Sequence, residues 1–359
     1  MNTSLETLDY AVFGIVAIVI LGVGVWVSRD KKGETKSAED YFLASKSLPW
    51  WAIGTSLIAA NSSAEQFIGM SGSGFAVGLA IATNEWMAAL TLIIVGKFFL
   101  PIFIKKGLYT IPEFVEKRFS SQLKTILAVF WIGLYVFVNL ASVMYLGGLA
   151  LQTILGIDML TGVIGLAAFA AAYSLYGGLS AVAWTDIIQV VVLILGGLVT
   201  TYLALDTVSG GQGFIEGLTT IYHAVPEKFD MILDRSNPEF MNLPGIGVLI
   251  GGMWVANLYY WGFNQYIIQR TLAAKSLEES QKGILFAAGL KMIIPIIVVI
   301  PGIAAYVIVN DPTLLASLGE AGVNNIPSSG AADKAYPWLM QFLPTGLKGI
   351  AIAALAAAI

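Results

Sequence analysis

Residues 59–74, AANSSAEQFIGMSGSG, place Asn61, Glu65 and Gln66 beside a run of Gly and Ser where an apolar helix should continue. A backbone inside a bilayer must satisfy its own polar groups. A charge and helix breakers at that depth are tolerated only around a buried cavity. Such a broken helix is the mark of a carrier's binding site. Other apolar runs are interrupted by Glu85, Asn139, Asn257, Asn264, Gln265 and Lys291. Each charge costs about 2.5–3.5 kcal/mol on insertion scales. Any single Asn or Gln is explained as well by interhelical hydrogen bonding. The set is not: two carboxylates, one ammonium and several amides offer both donors and acceptors. That inventory suits a polyhydroxy ligand, whose hydroxyls each need both. It suits a bare ion or an apolar amine less well.

A second irregular stretch, 251–266 (GGMWVANLYYWGFNQY), pairs glycines with Tyr259, Tyr260 and Trp261. Aromatic faces stack on the apolar face of a sugar ring and can close a pocket. An interfacial aromatic belt is the ordinary alternative. The mid-span position, between Glu239 and Arg270, argues against it.

The elements that must hold these residues are membrane helices. The chain is 57% hydrophobic and only 12% charged, with a mean hydropathy of +0.79. A soluble domain carries about 25% charged residues. The net charge of −4 points to no nucleic-acid partner. There are no cysteines, so disulfides and thiolate metal sites are excluded. The single histidine, His223, reads as a solvated loop residue. The N-terminus lacks the basic start of a cleavable signal, and the run from Tyr10 to Val27 is long enough to span.

Uncharged runs predict spans at roughly 8–28, 49–73, 79–104, 122–156, 159–177, 182–206, 243–270 and 282–309. A ninth begins near 345. Residues 349–359 cover only about half of a ~30 Å hydrocarbon core. The second repeat is therefore expected to continue past Ile359, leaving Glu85 and Lys291 facing lipid or water and the chain unable to concentrate solute. Lys and Arg cluster in the loops after spans one, three and seven, for example Lys31, Lys105 and Lys275. The positive-inside rule puts those loops in the cytoplasm and the N-terminus outside. The outer segment 207–242 carries an amphipathic spacing (GFIEGLTTIYHAVPEKF) that suits a surface helix. In LYTIPEFVEKR, 108–118, Thr110 and Pro112 mark a helix start. Four intact spans separate the two irregular helices, the spacing of an inverted five-helix repeat.

Three blocks carry a family resemblance: DYFLASKSLPWWAIGTSLIAANSSAEQFIGMSGSG (40–74), SLYGGLSAVAWTDIIQ (174–189) and WVANLYYWGFNQYIIQRTLAAKS (254–276). Over essentially the whole chain the sequence resembles the sodium:solute symporters, and the middle block fits their Gly-Gly-Leu signature. The resemblance implies an all-α polytopic membrane protein of the leucine-transporter-type fold, an inverted five-helix repeat with one extra N-terminal helix. Residues 1–359 form one transporter domain: an extra helix at 8–28, a first repeat at 49–206 and part of a second at 243–359. It implies sodium-coupled symport of a monosaccharide across a bacterial inner membrane, with sodium as coupling ion and no other cofactor. The implied sugar site includes Gln66, Glu85, Asn139, Asn257 and Lys291, with Asn61, Ser63 and Glu65 close by. Tyr260 is the implied inner gate, with Trp261 beside it. Backbone carbonyls of Ala59 and Ser62 are the implied sodium ligands, and Asp186 lies on the ion's path. The resemblance also implies a serine and an aromatic near the sugar where this chain has Ala88 and Asn84.

Two other function classes stay open. One is a symporter of the same fold for inositol, an amino acid or a carboxylate. The other is an intramembrane enzyme using Glu65 and Glu85 as acid and base, which lacks a nucleophile or metal set.

Overall fold

The structure, a computed structural model, describes residues 6–28, 37–62, 65–108, 110–243, 245–323 and 325–357. Six helices among them are long and apolar enough to cross a membrane. Helix α1 (Thr7–Ser28) precedes a broken second span, formed by α2 (Trp50–Asn61) and α3 (65–76). Helices α4 (Leu79–Lys105) and α5 (121–155) follow. Helix α6 (Met159–Val208) bends at Gly178, whose φ of +60° excludes a helical continuation. A Cβ there would lie 2.5 Å from the Tyr41 carbonyl oxygen, so only glycine fits the bend. The bend divides α6 into two spans, near the boundary expected from hydropathy.

The segment 207–242 carries α7 (Phe214–Ala224), the amphipathic helix that its spacing predicts. His223 sits exposed in its last turn rather than in a loop. The seventh span is broken into α8 (Gly245–Phe263) and α9 (Gln265–Leu272). Helix α10 (Leu277–Asn310) keeps its course through Pro295 and Pro301, and α11 (Leu347–Ala357) ends the described chain. Thr110 caps the helix Ile111–Arg118, as its sequence predicts.

The buried core runs along α10, which packs on α2, α3, α4 and α6. Helix α5 is little buried along most of its length, as an apolar span can be when its neighbours are acyl chains. Helix α1 docks through Asp9, whose buried carboxylate accepts from the amides of Gly346 (2.6 Å) and Gly349 (3.3 Å). Those amides open α11, where a carboxylate meets the positive helix end.

Candidate functional site

Both irregular stretches are true breaks. In the second span α2 stops at Asn61, and Ser62 turns to φ −90°, ψ 53°. In the seventh, Asn264 is extended at φ −76°, ψ 121° between α8 and α9. Around them the helices widen into i→i+5 turns at Glu65–Gly69, Tyr135–Leu140 and Tyr259–Phe263. Such bulges concentrate at functional sites because they re-aim side chains and free carbonyls. All three stretches contribute to one cavity of about 1030 Å³.

Behind the cavity wall lies a buried polar cluster. The Lys291 ammonium is 2.5 Å from Glu85 Oε2 and also donates to Asn61 Oδ1. It lies 5.1 Å from the centre of the Trp261 ring. Lys291 is fully buried and Glu85 nearly so, at 3% exposure. Asn61 then donates to the Tyr260 hydroxyl at 3.1 Å, which pairs with the Tyr266 hydroxyl at 2.7 Å. Asn257, also buried, donates to the Met253 carbonyl at 3.1 Å and reaches Asn84 Oδ1 at 3.4 Å. Four elements thus meet here: α2 brings Asn61, α4 brings Glu85, α8 brings Asn257 and Tyr260, and α10 brings Lys291.

The expected site residues divide between cluster and cavity. Asn61, Gln66, Asn139, Ala59, Tyr260 and Asp186 line the cavity. Glu85, Asn257, Lys291 and Trp261 lie behind Asn61 and Tyr260, which form the wall between. The expectation that Glu85 and Lys291 face lipid or water is wrong. Each is buried against the other, the one arrangement that avoids an isolated charge in a low dielectric. Gln66 points its amide at the Met70 thioether, a weak acceptor that a better one would displace. Ser63 lies outside the described residues, as does the side chain of Glu65.

Where α2, α6 and α9 meet, Ser56 donates to Asp186 at 2.5 Å and accepts from Arg270 at 2.9 Å. Arg270 and Asp186 also approach to 3.6 Å. Among the described residues no cluster of three or more His, Asp or Glu side chains could hold a metal. The second break nevertheless offers oxygen to a hard cation. The Ser62 hydroxyl is buried there without a hydrogen-bond partner.

Sequence reasoning missed Tyr135, Tyr266, Ser56 and the site role of Arg270. Tyr135 is masked by its apolar neighbours in YVFVN, and Arg270 reads as a topology marker.

The profile of the sodium:solute symporter family matches residues 41–359. The chain belongs to this family. It is 69% identical to the sodium/glucose cotransporter of Vibrio parahaemolyticus, over 99% of this chain and 65% of that protein. It is 34% identical to the sodium/myo-inositol cotransporter 2 of Homo sapiens, over 99% of this chain and 54% of that protein. The chain thus spans between about half and two thirds of these relatives' length. A sodium-coupled sialic acid symporter, solved substrate-bound and outward-open, superposes with a TM-score of 0.83 at 25% identity, covering 98% of this chain and 71% of that one. The leucine-transporter-type fold expected of the family is therefore the fold observed, in a multi-pass membrane protein.

Proposed function

We propose that the protein is a sodium-coupled symporter of a monosaccharide of the glucose or galactose type, working by alternating access. The observation that carries this reading is the Glu85–Lys291–Asn61–Tyr260 chain beside the cavity. Lys291 offers three donors, Glu85 only acceptors, and the amides both. A sugar hydroxyl both donates and accepts, so it can replace either partner in such a chain. The glucose cotransporter named above, alike over nearly the whole chain, supports the hexose.

Sodium would sit at the second-span break, held by the Ala59 and Ser62 carbonyls together with the unpaired Ser62 hydroxyl. A cation there orders Asn61, which already contacts both Lys291 and the gate. Sugar would therefore bind more tightly with sodium present. Tyr260 and Trp261, edge to face at 5.1 Å, would close the sugar from the cavity. Gln66, Asn139, Ser63 and Glu65 complete the proposed sugar site, and Asp186 lies on the proposed ion path.

The protein would lie in a bacterial plasma membrane with its N-terminus outside, where the Lys and Arg distribution places it. Residues 49–206 would form the first repeat and 243–359 belong to the second. It would act as a carrier and not an enzyme: the chain has no cysteine, and its one histidine is exposed on α7.

The test is uptake of labelled glucose, galactose and myo-inositol into proteoliposomes carrying the protein expressed from its own gene, with an inward gradient of sodium or potassium. Hexose accumulation that requires sodium is expected. Accumulation of myo-inositol alone would reassign the substrate, and equal uptake in potassium would refute the coupling.

A further inference from the structure

Tyr135 stands at the first residue of the widened turn of α5 and faces the cavity. Its hydroxyl donates to Asn264 Oδ1 at 2.7 Å and accepts from the Gln265 amide at 3.2 Å. Asn264 is the residue at which α8 leaves helical geometry, and Gln265 is the first residue of α9. The opening amides of a helix have no partner within it. A single phenol on α5 therefore pairs one of those amides and pins the side chain at the break.

The ring of Tyr135 also meets the ring of Tyr266 edge-on at 5.7 Å. Tyr266 holds the Tyr260 hydroxyl at 2.7 Å, across the break. Tyr260 sits in the last widened turn before Asn264. Backbone and side chain thus lead from Tyr135 to the gate by two short routes.

We propose that Tyr135 is a positioning residue for the gate at Tyr260, setting the angle of the seventh-span break from the neighbouring helix. The proposal rests on the symporter reading. Without the two hydroxyl bonds, the turn bearing Tyr260 keeps its ties to Asn61 and Tyr266 but the break loses its hydrogen-bonded anchor on α5. The gate then opens more readily and bound sugar escapes faster.

The experiment measures release of tritiated glucose from the sodium-loaded protein expressed from its own gene. Tyr135→Phe keeps the ring contacts and removes both hydrogen bonds. Release should quicken about fivefold or more, the value of roughly one net hydrogen bond. Asn264→Ala cuts the same bond from the other side and should do the same, even where Tyr135→Phe fails to fold. On a Tyr260→Ala background, Tyr135→Phe should add less than about twofold, because residues acting through one another are not additive. A merely structural tyrosine would multiply with the gate variant. That multiplication, or wild-type release from both single variants, would overturn the inference. If the wild type binds neither glucose nor galactose in sodium, the monosaccharide-symporter reading itself fails and takes the inference with it.

Discussion

The Lys291 ammonium lies 2.5 Å from Glu85 Oε2, with both side chains buried between α4 and α10. These residues are 206 positions apart in sequence. Each charge alone would be prohibitive in the membrane; together they form a pair whose remaining bonds reach Asn61 and, through it, Tyr260. Within the cluster the two charges satisfy each other. On the proposed function, a sugar entering the cluster would trade those bonds for its own hydroxyls.

Removing one partner should therefore cost stability as well as binding. Lys291→Met leaves Glu85 unpaired, and losing half of a buried pair costs about 3–5 kcal/mol. Lys291→Met with Glu85→Gln removes both charges and should recover most of the melting temperature, yet not transport. Thermal melts and sodium-driven glucose uptake on the two variants are the check. A double variant that transports glucose at wild-type affinity would remove the pair from the sugar site.

Sodium dependence should trace to the second-span break. The Ser62 hydroxyl is buried and unpaired, so Ser62→Ala in a purely structural setting would be neutral or stabilising. If that oxygen ligates sodium, the half-saturating sodium concentration should rise about tenfold, the value of roughly 1.4 kcal/mol. Sodium's effect on sugar affinity and sugar's effect on sodium affinity must stay equal, because the coupling is reciprocal. An unchanged sodium titration would leave Ser62 a packing residue.

The proposed gate at Tyr260 has two separable parts. Tyr260→Phe keeps the ring against Trp261 and loses the hydroxyl shared with Asn61 and Tyr266. Tyr260→Ala loses the aromatic face as well, worth on the order of 1 kcal/mol beyond its area. Glucose binding should fall only modestly in the first variant and clearly further in the second. Equal binding by all three proteins would make Tyr260 a core residue.

Both breaks were legible in the sequence because polar and small residues stand out inside apolar runs. Asn61 and Gln66 announce one, and the glycines around Tyr260 the other. Long-range pairing was not legible. Nothing local says that Lys291 meets Glu85 and not lipid, since the pairing depends on how α4 and α10 pack. Tyr135 is hidden for a related reason. Its role lies in a hydroxyl aimed at Asn264, while its neighbours are plain apolar residues, Val136 on the cavity wall and Phe137 exposed on the outer face of α5. The bend at Gly178 was missed as a φ requirement, although the gap between the predicted fifth and sixth spans falls there.

The second half of the broken span is clamped at its C-terminal end. Lys228, in the segment after α7, donates to the carbonyls of Phe75 (2.9 Å) and Ala76 (2.6 Å), the last residues of α3. Its ammonium lies 4.1 Å from the centre of the Tyr306 ring on α10. A cation on a helix C-terminus and over an aromatic face is favourable on both counts. Burial holds this ammonium below the usual lysine range, against the pull of Glu239 and Glu227. Gly78 turns at φ +98° beneath it, where a Cβ would lie 2.3 Å from the Lys228 carbonyl oxygen. Lys228→Met keeps the stem and removes the clamp, so α3 should move more freely. Because the chain has no cysteine, a lone Ser73→Cys on α3 reports that motion cleanly. Its labelling by an impermeant thiol reagent should quicken about fivefold in Lys228→Met, and Lys228→Arg should stay near the wild-type rate. Labelling that is equally slow in Lys228→Met would show that the half-helix is held by packing against α10 alone and that the clamp carries no part of the closure.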